Sequence, residues 1–296
     1  MSEYERVAGI AIHAWKNPKL TWMERALEVI NYPLDKAGEL VMAIPGVDWV
    51  IEKAGVGALS LLNDGAALTV RTEAIFSEFQ PPVDSLEAIH RLDLERADRA
   101  VGFLAAKYKG LAFTEGAAAG AASTAGPVAG GAAIAADVTA LIGLNLRAVN
   151  EYATYYGFDI TRQEERLFAL NVLGLASAPT DAAKVVAMAQ LVKIAKQVAQ
   201  LKGWKELERQ LFVQIAQRIA KALAIRLTKA KLAQLVPAAG AAIGGGFNAY
   251  YTSRVCDAAY FLYRERFLAR KYGADVIEVT VPPPAENDFG QGYAVT

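Results

Sequence analysis

A single cysteine, Cys256, stands in a chain of 296 residues. It excludes an internal disulfide and any cluster of cysteine metal ligands. Two histidines, His13 and His90, leave little material for a zinc site or a proton relay. Net charge is also missing, since 31 basic residues balance 31 acidic ones. That argues against a nucleic-acid-binding protein, which carries a basic excess. No Gly-x-Ser-x-Gly element occurs, and no glycine loop carries the lysine that phosphate binding requires. The opening residues, Met1-Ser2-Glu3-Tyr4-Glu5-Arg6, are charged, and no apolar run with a cleavage site follows, so no secretory signal is expected. An unpaired cysteine then fits a reducing cytoplasm. What is abundant is apolar surface: 54% of residues are hydrophobic and 21% charged, enough for a sizeable core and too little charge for a disordered chain.

Helical periodicity dominates the chain. It predicts helices over 4–16, 22–31, 34–42, 47–62 and 66–79, punctuated by Pro18, Pro33, Pro45-Gly46 and Pro81-Pro82. Asp84, with Glu87 three residues on, reads as the N-cap of a helix running to about Lys109. Thr161-Arg162-Gln163-Glu164 reads as a capping box for a helix to about Ala176. Long amphipathic stretches follow at 181–202, 205–231 and about 238–271. Only residues 276–281 alternate as a strand does, and Pro282-Pro283-Pro284 opens a polar tail. The expectation is an all-α multi-helix bundle over 1–281, with at most one short β element near its end and a mobile tail over 282–296.

Two charge-free runs stand out. The first, residues 116–136, is mostly Ala and Gly around Pro127; the second, 232–253, holds Pro237, Gly240, Gly244, Gly245 and Gly246. Their length would span a bilayer, but they are poor in the Leu, Ile, Phe and Val that drive insertion. Gly116 and Gly120, Gly126 and Gly130, and Gly240 and Gly244 each lie four residues apart on one helix face, which suits close helix packing. A membrane-entering hairpin and a small-molecule cavity are the competing readings. Each run is followed by a helix ending in a Tyr-Gly-x-Asp corner, Tyr156 to Asp159 and Tyr272 to Asp275, where Gly suits a left-handed C-cap.

Several segments together carry a family resemblance. They are Trp15-Lys16-Asn17-Pro18, Pro33-Leu34-Asp35-Lys36-Ala37, Leu92-Asp93-Leu94-Glu95-Arg96-Ala97-Asp98-Arg99, Ala136-Asp137-Val138 and Tyr156-Gly157-Phe158-Asp159. Glu164-Glu165-Arg166-Leu167-Phe168, the run from Gly240 to Asn248, and Tyr263-Arg264-Glu265-Arg266 complete the set. In combination they resemble the EcsC family of bacteria over about residues 4–275. The family takes its name from its neighbourhood with a bacterial ABC transporter. The resemblance implies a bacterial origin and no particular reaction.

Residues suited to chemistry are few. Glu87-Ala88-Ile89-His90 matches one half of a helical di-iron site, but such sites need two such elements, and a capping Glu87 with an exposed His90 is the simpler expectation. Cys256 reads as a small core residue. Glu115 and Asp137 bracket the first apolar run, and burying them requires a partner or protonation. Arg147 and Arg254 are the candidate cations, which makes these four a candidate buried polar site; a structural ion pair is the plainer alternative. Asn145, Asn150 and Asn248 read as helix-to-helix hydrogen bonders. No catalytic residue, metal or cofactor is expected.

The zero total conceals one uneven region. Residues 184–231 hold eleven basic residues against Glu206 and Glu208, a net +9. Lys193 on one helix, and Arg218 and Lys221 on the next, fall in glutamine-rich polar stripes opposite the apolar ones; Lys196 and Lys229 lie nearby. They are the candidate contacts for membrane or lipid, the alternative being solvated helix faces. The expected role is a non-enzymatic cytoplasmic accessory protein, peripheral on the inner face of the cell membrane. Its partner would be an anionic membrane surface or a membrane protein such as an ABC transporter. A helical carrier of a lipid-like ligand, or an enzyme acting on one, is the alternative.

Overall fold

The computed structural model describes residues 1–16, 49, 52–53, 70–122, 127–176 and 240–273. The fold is all-α, and no strand occurs among the described residues. The elements are α1 (Glu3–Lys16), α2 (Thr72–Glu78), α3 (Leu86–His90), α4 (Leu94–Val101), α5 (Leu104–Ala122), α6 (Pro127–Tyr155), α7 (Gln163–Ala176) and α8 (Gly240–Tyr272). The helices expected over 22–31, 34–42, 181–202 and 205–231, the strand at 276–281 and the tail lie outside the described residues.

Local chemistry sets the helix ends. A reciprocal capping box opens α1: the Glu5 amide donates to Ser2 Oγ at 3.2 Å, and the Ser2 amide donates to Glu5 Oε2 at 2.9 Å. The single helix expected from Asp84 to Lys109 is three helices. Ser85, not Asp84, caps α3, its hydroxyl accepting from the Ala88 amide. Asp93 in extended conformation starts α4, and Gly102 ends it at φ +46°. Ahead of α7, Thr161 turns back on Asp159, whose Oδ1 accepts from the Thr161 amide at 3.0 Å and from its hydroxyl at 2.7 Å. The two Tyr-Gly corners do end their helices. Gly157 and Gly273 hold φ of +82° and +89°, and the Phe158 amide closes back onto the Ala153 carbonyl at 2.8 Å.

The centre is built from α5, α6 and α8. α5 lies along α8 in its most extensive contact, and α6 covers both. α7 and α1 pack on α8, and α2 packs on α6. The largest fully buried side chains include Tyr108, Tyr156, Tyr263, Phe79 and Phe267. Residues 132–155 of α6 are long and apolar enough to cross a membrane, yet 56% of that window is buried, as a central core helix requires. Cys256 is buried, and that burial, with Asp257 beside it, pushes its thiol up to about 12.

The glycines differ sharply in what they permit. A Cβ on Gly245 of α8 would lie 2.8 Å from the Phe113 carbonyl oxygen of α5, which is backbone and cannot step aside. Gly246, one residue on, faces open space. The close helix approach therefore falls at Gly245. Gly116 is buried, while the surroundings of Gly120, Gly130, Gly240 and Gly244 lie outside the described residues. Gly245→Val is expected to cost about 1–3 kcal/mol through overpacking. Gly246→Ala is expected to stabilise by about 0.5–1 kcal/mol, since alanine is the better helix former. Thermal unfolding of the two variants checks the opposite signs; equal shifts would refute this packing.

Candidate functional site

Four successive residues of α8, Tyr263-Arg264-Glu265-Arg266, reach three separate parts of the chain. Arg264 is buried and pairs with the buried Asp98 of α4 at 2.9 Å. Asp98 also receives the Tyr4 hydroxyl at 2.7 Å and the Tyr156 hydroxyl at 2.6 Å. Tyr260 lies under the Arg264 guanidinium, 4.6 Å from ring centroid to cation. One carboxylate thus ties together α1, α4, the end of α6, and α8. Burial, with Asp98 beside it, holds the Tyr156 phenol well above its ordinary range, so it remains a hydrogen-bond donor.

The neighbours repeat the device. Glu265 accepts from Lys16 at 2.6 Å, and Trp15 stacks on Phe261 at 5.1 Å, docking the end of α1. Arg266 forks onto Glu165 of α7 at 2.7 and 2.5 Å. Its guanidinium sits between Phe158 and Phe168, 4.1 and 4.2 Å from their ring centroids. One turn on, Lys271 donates to Glu5 at 2.8 Å and Asp93 at 2.9 Å, and Tyr272 donates to Glu5 at 2.6 Å. These acids and bases sit on helices that periodicity identifies, but their contacts join residues 58 to 267 positions apart and leave no local trace. The one available signal was a run of charges in the middle of apolar-periodic helices.

Glu5 gives this assembly a pH dependence. Burial opposes its ionised form, but hydrogen bonds from Lys271, Tyr272 and the Ser2 and Leu94 amides outweigh it and hold the carboxyl at about 2. In the unfolded chain the same carboxyl titrates near its usual ~4.3. As pH falls through that value the unfolded state takes up the proton first, so Glu5's stabilisation is lost between about pH 4.5 and 2. Glu5→Gln is expected to lower stability at pH 7 and to flatten the acid limb of urea-unfolding midpoints against pH. An unchanged acid limb would refute the contribution.

His90 is half-buried rather than exposed. Its ring lies 5.5 Å from Phe158 and 6.1 Å from Phe267, centroid to centroid, packed under the Gly157 corner. Burial, and then Arg270, pull its pKa below the ordinary histidine value. The capping of α3 falls to Ser85, so Glu87-x-x-His90 forms part of a helix-end packing unit.

A second polar group lies farther along α6 and α8. Asp137 is buried and accepts from Asn248 Nδ2 at 3.1 Å. Asn145 donates to Thr252 Oγ1 at 3.1 Å and to the Leu141 carbonyl at 2.8 Å. Asn145 and Asn248 therefore do bridge two helices. The remaining members of the expected polar site sit differently. Arg147 pairs with the buried Glu151 at 3.4 Å, which also receives Lys107 at 2.9 Å. Arg254 approaches the Tyr250 hydroxyl at 3.4 Å, and Glu115 is half-buried on α5. Lys193, Lys196, Arg218, Lys221 and Lys229 lie outside the described residues.

The third feature is apolar and exposed. Phe103, just past the Gly102 break, is 89% exposed, and Leu111 and Phe113 are half exposed. Tyr250 of α8 is 61% exposed. Lys107, Leu111 and Thr114 recur at helical spacing on one outer face of α5, and Phe103 immediately precedes its first turn.

The architecture defines a class: an all-α protein whose small-residue helices are locked at one end by buried ion pairs from the last long helix. The EcsC protein family model matches residues 11–268, and the chain belongs to that family. The segments that carried the resemblance are largely those the ion pairs join: Trp15-Lys16, Leu92 to Arg99, Tyr156 to Asp159, Glu164 to Phe168 and Tyr263 to Arg266. The chain is 29% identical over 142 residues to the uncharacterized protein YdbA of Bacillus subtilis (strain 168). That alignment covers 45% of this chain and 46% of YdbA, so the match spans about half of that relative's length. No solved structure matches.

Proposed function

We propose that this protein is a non-catalytic accessory factor that attaches to an anionic membrane surface through the outer face of α5, from the cytoplasmic side. The observation that carries the reading is the exposure of Phe103, just before α5, and of Leu111 on its outer face, with Lys107 between them in the sequence. An exposed aromatic side chain with a lysine one turn away suits the lipid headgroup boundary. The region 184–231, with its net +9, supplies the long-range attraction to anionic lipid. Each Lys or Arg near such a surface contributes about 1 kcal/mol and is screened over about 10 Å at 0.1 M salt. Three or four such contacts give weak, reversible attachment.

Co-sedimentation with phosphatidylglycerol-rich and with neutral vesicles tests this. Binding to the anionic vesicles alone, falling steeply with salt, is the expected result. Phe103→Ser with Leu111→Ser should weaken binding at every salt concentration without altering circular dichroism. Reversing Lys193, Lys196, Arg218 and Lys221 to Glu should remove the salt-dependent part. No recovery with either vesicle at low salt would overturn the reading and turn attention to a membrane protein as partner.

A further inference from the structure

One carboxylate gathers two cations where α5 meets α6. Glu151 of α6 is buried, and its Oε2 accepts from Lys107 Nζ of α5 at 2.9 Å. Its other oxygen, Oε1, accepts from Arg147 Nε, one turn back on α6, at 3.4 Å. Both cations stand farther out than the acid that joins them: the side chains of Lys107 and Arg147 are 50% and 43% exposed, that of Glu151 only 7%. Lys107 Nζ also lies 5.1 Å from the ring centroid of the buried Tyr108, so its ammonium rests against the protein.

This arrangement leaves donors unused. Arg147 meets Glu151 through Nε, and its terminal nitrogens have no acceptor among the described residues. Lys107 has N–H groups left over as well. Two cations that both reach one carboxylate are close enough for one phosphate group to bridge, since phosphate is at least as wide and offers more oxygens. The carboxylate holds them from the buried side, and the solvent side is where a second anion enters. The three charges sum to +1. A phosphodiester carries one negative charge and neutralises that sum. A phosphomonoester carries about −1.5 to −2 and would leave an excess beside Glu151. The next acid, Glu78 of α2, is engaged by the Tyr155 hydroxyl one turn along α6. Phe103, 89% exposed, lies four residues before Lys107 and the half-exposed Leu111 four residues after it, so apolar side chains flank the cation in sequence.

We propose that Lys107 and Arg147, held together by Glu151, bind the phosphodiester group of an anionic lipid headgroup. This rests on the membrane reading above and adds a defined site to it, with Arg147 of α6 as a contact outside the α5 face. Glu151 is a positioning residue: it fixes both cations and touches no lipid.

Co-sedimentation of Arg147→Lys and Arg147→Gln with phosphatidylglycerol-rich vesicles separates a site from diffuse attraction. Diffuse attraction depends on charge alone, so it leaves Arg147→Lys at wild-type affinity. An ammonium cannot reproduce the planar fork of a guanidinium. The site therefore predicts a loss of about tenfold for Arg147→Lys, the size of one charge-assisted hydrogen bond, and a larger loss for Arg147→Gln. Should the variants fail to fold, phosphorus-31 line broadening of glycerophosphoglycerol, the soluble headgroup diester, reads the site in the wild-type protein. Broadening of the diester is expected; broadening of inorganic phosphate alone, or of neither, would overturn the proposal. Wild-type affinity in Arg147→Lys would overturn it too and leave the membrane reading standing. No binding of the wild-type protein to anionic vesicles would overturn both.

Discussion

Asp98→Ala is expected to be among the most damaging single substitutions in the described residues, costing about 3–5 kcal/mol. The variant leaves the buried Arg264 guanidinium without its 2.9 Å partner, and leaves the Tyr4 and Tyr156 hydroxyls without their acceptor. The reason is asymmetric: breaking a buried pair strands a charge, whereas replacing both members removes the desolvation cost as well. The double variant Asp98→Leu with Arg264→Met should therefore recover much of the loss. Urea unfolding of the single and double variants measures this. A loss below about 1 kcal/mol for Asp98→Ala would show that the pair behaves as an exposed one.

Gly157→Ala is expected to destabilise by about 2–4 kcal/mol, from a left-handed backbone cost of roughly 1–2 kcal/mol and overpacking of about 1–3 kcal/mol. Gly157 holds φ at +82°, and an added Cβ would meet the Leu86 carbonyl and His90 Nε2, each at 2.9 Å. The histidine could move, but the Leu86 carbonyl belongs to α3 and cannot. Gly273 provides the control: its φ is +89°, yet its Cβ position is open. Gly273→Ala should show the backbone cost alone. Equal melting shifts for the two alanine variants would mean that α3 does not press on the corner.

The two corners share a sequence and a backbone conformation, but differ in what surrounds them. That difference shows where sequence reading succeeds in this protein and where it stops. Helix identity is a short-range property. The 3.6-residue recurrence of apolar side chains marks α1, α7 and α8, and the two Tyr-Gly corners follow from the left-handed preference of glycine. Cys256 in the core and the bridging roles of Asn145 and Asn248 were readable for the same reason, since an apolar helix leaves small or amide side chains few other places.

Which residues meet across the fold is a long-range property, and there periodicity carries no information. The run from Asp84 to Lys109 reads as one helix because its apolar spacing is continuous, and only the extended Asp93 and the left-handed Gly102 divide it. Gly244 and Gly245 are equivalent as sequence, but the crossing of α5 and α8 puts the Phe113 carbonyl against Gly245. Arg147 and Arg254 were the cations expected at a buried site. The tertiary structure gave Arg147 to Glu151, placed Arg254 beside Tyr250, and brought Arg264 to Asp98. The sequence by itself determined the helical class, the helix-ending glycines and the supply of charge. The packing of α1, α4, α6, α7 and α8 decided which charges lose their water, because desolvation depends on neighbours distant in the chain.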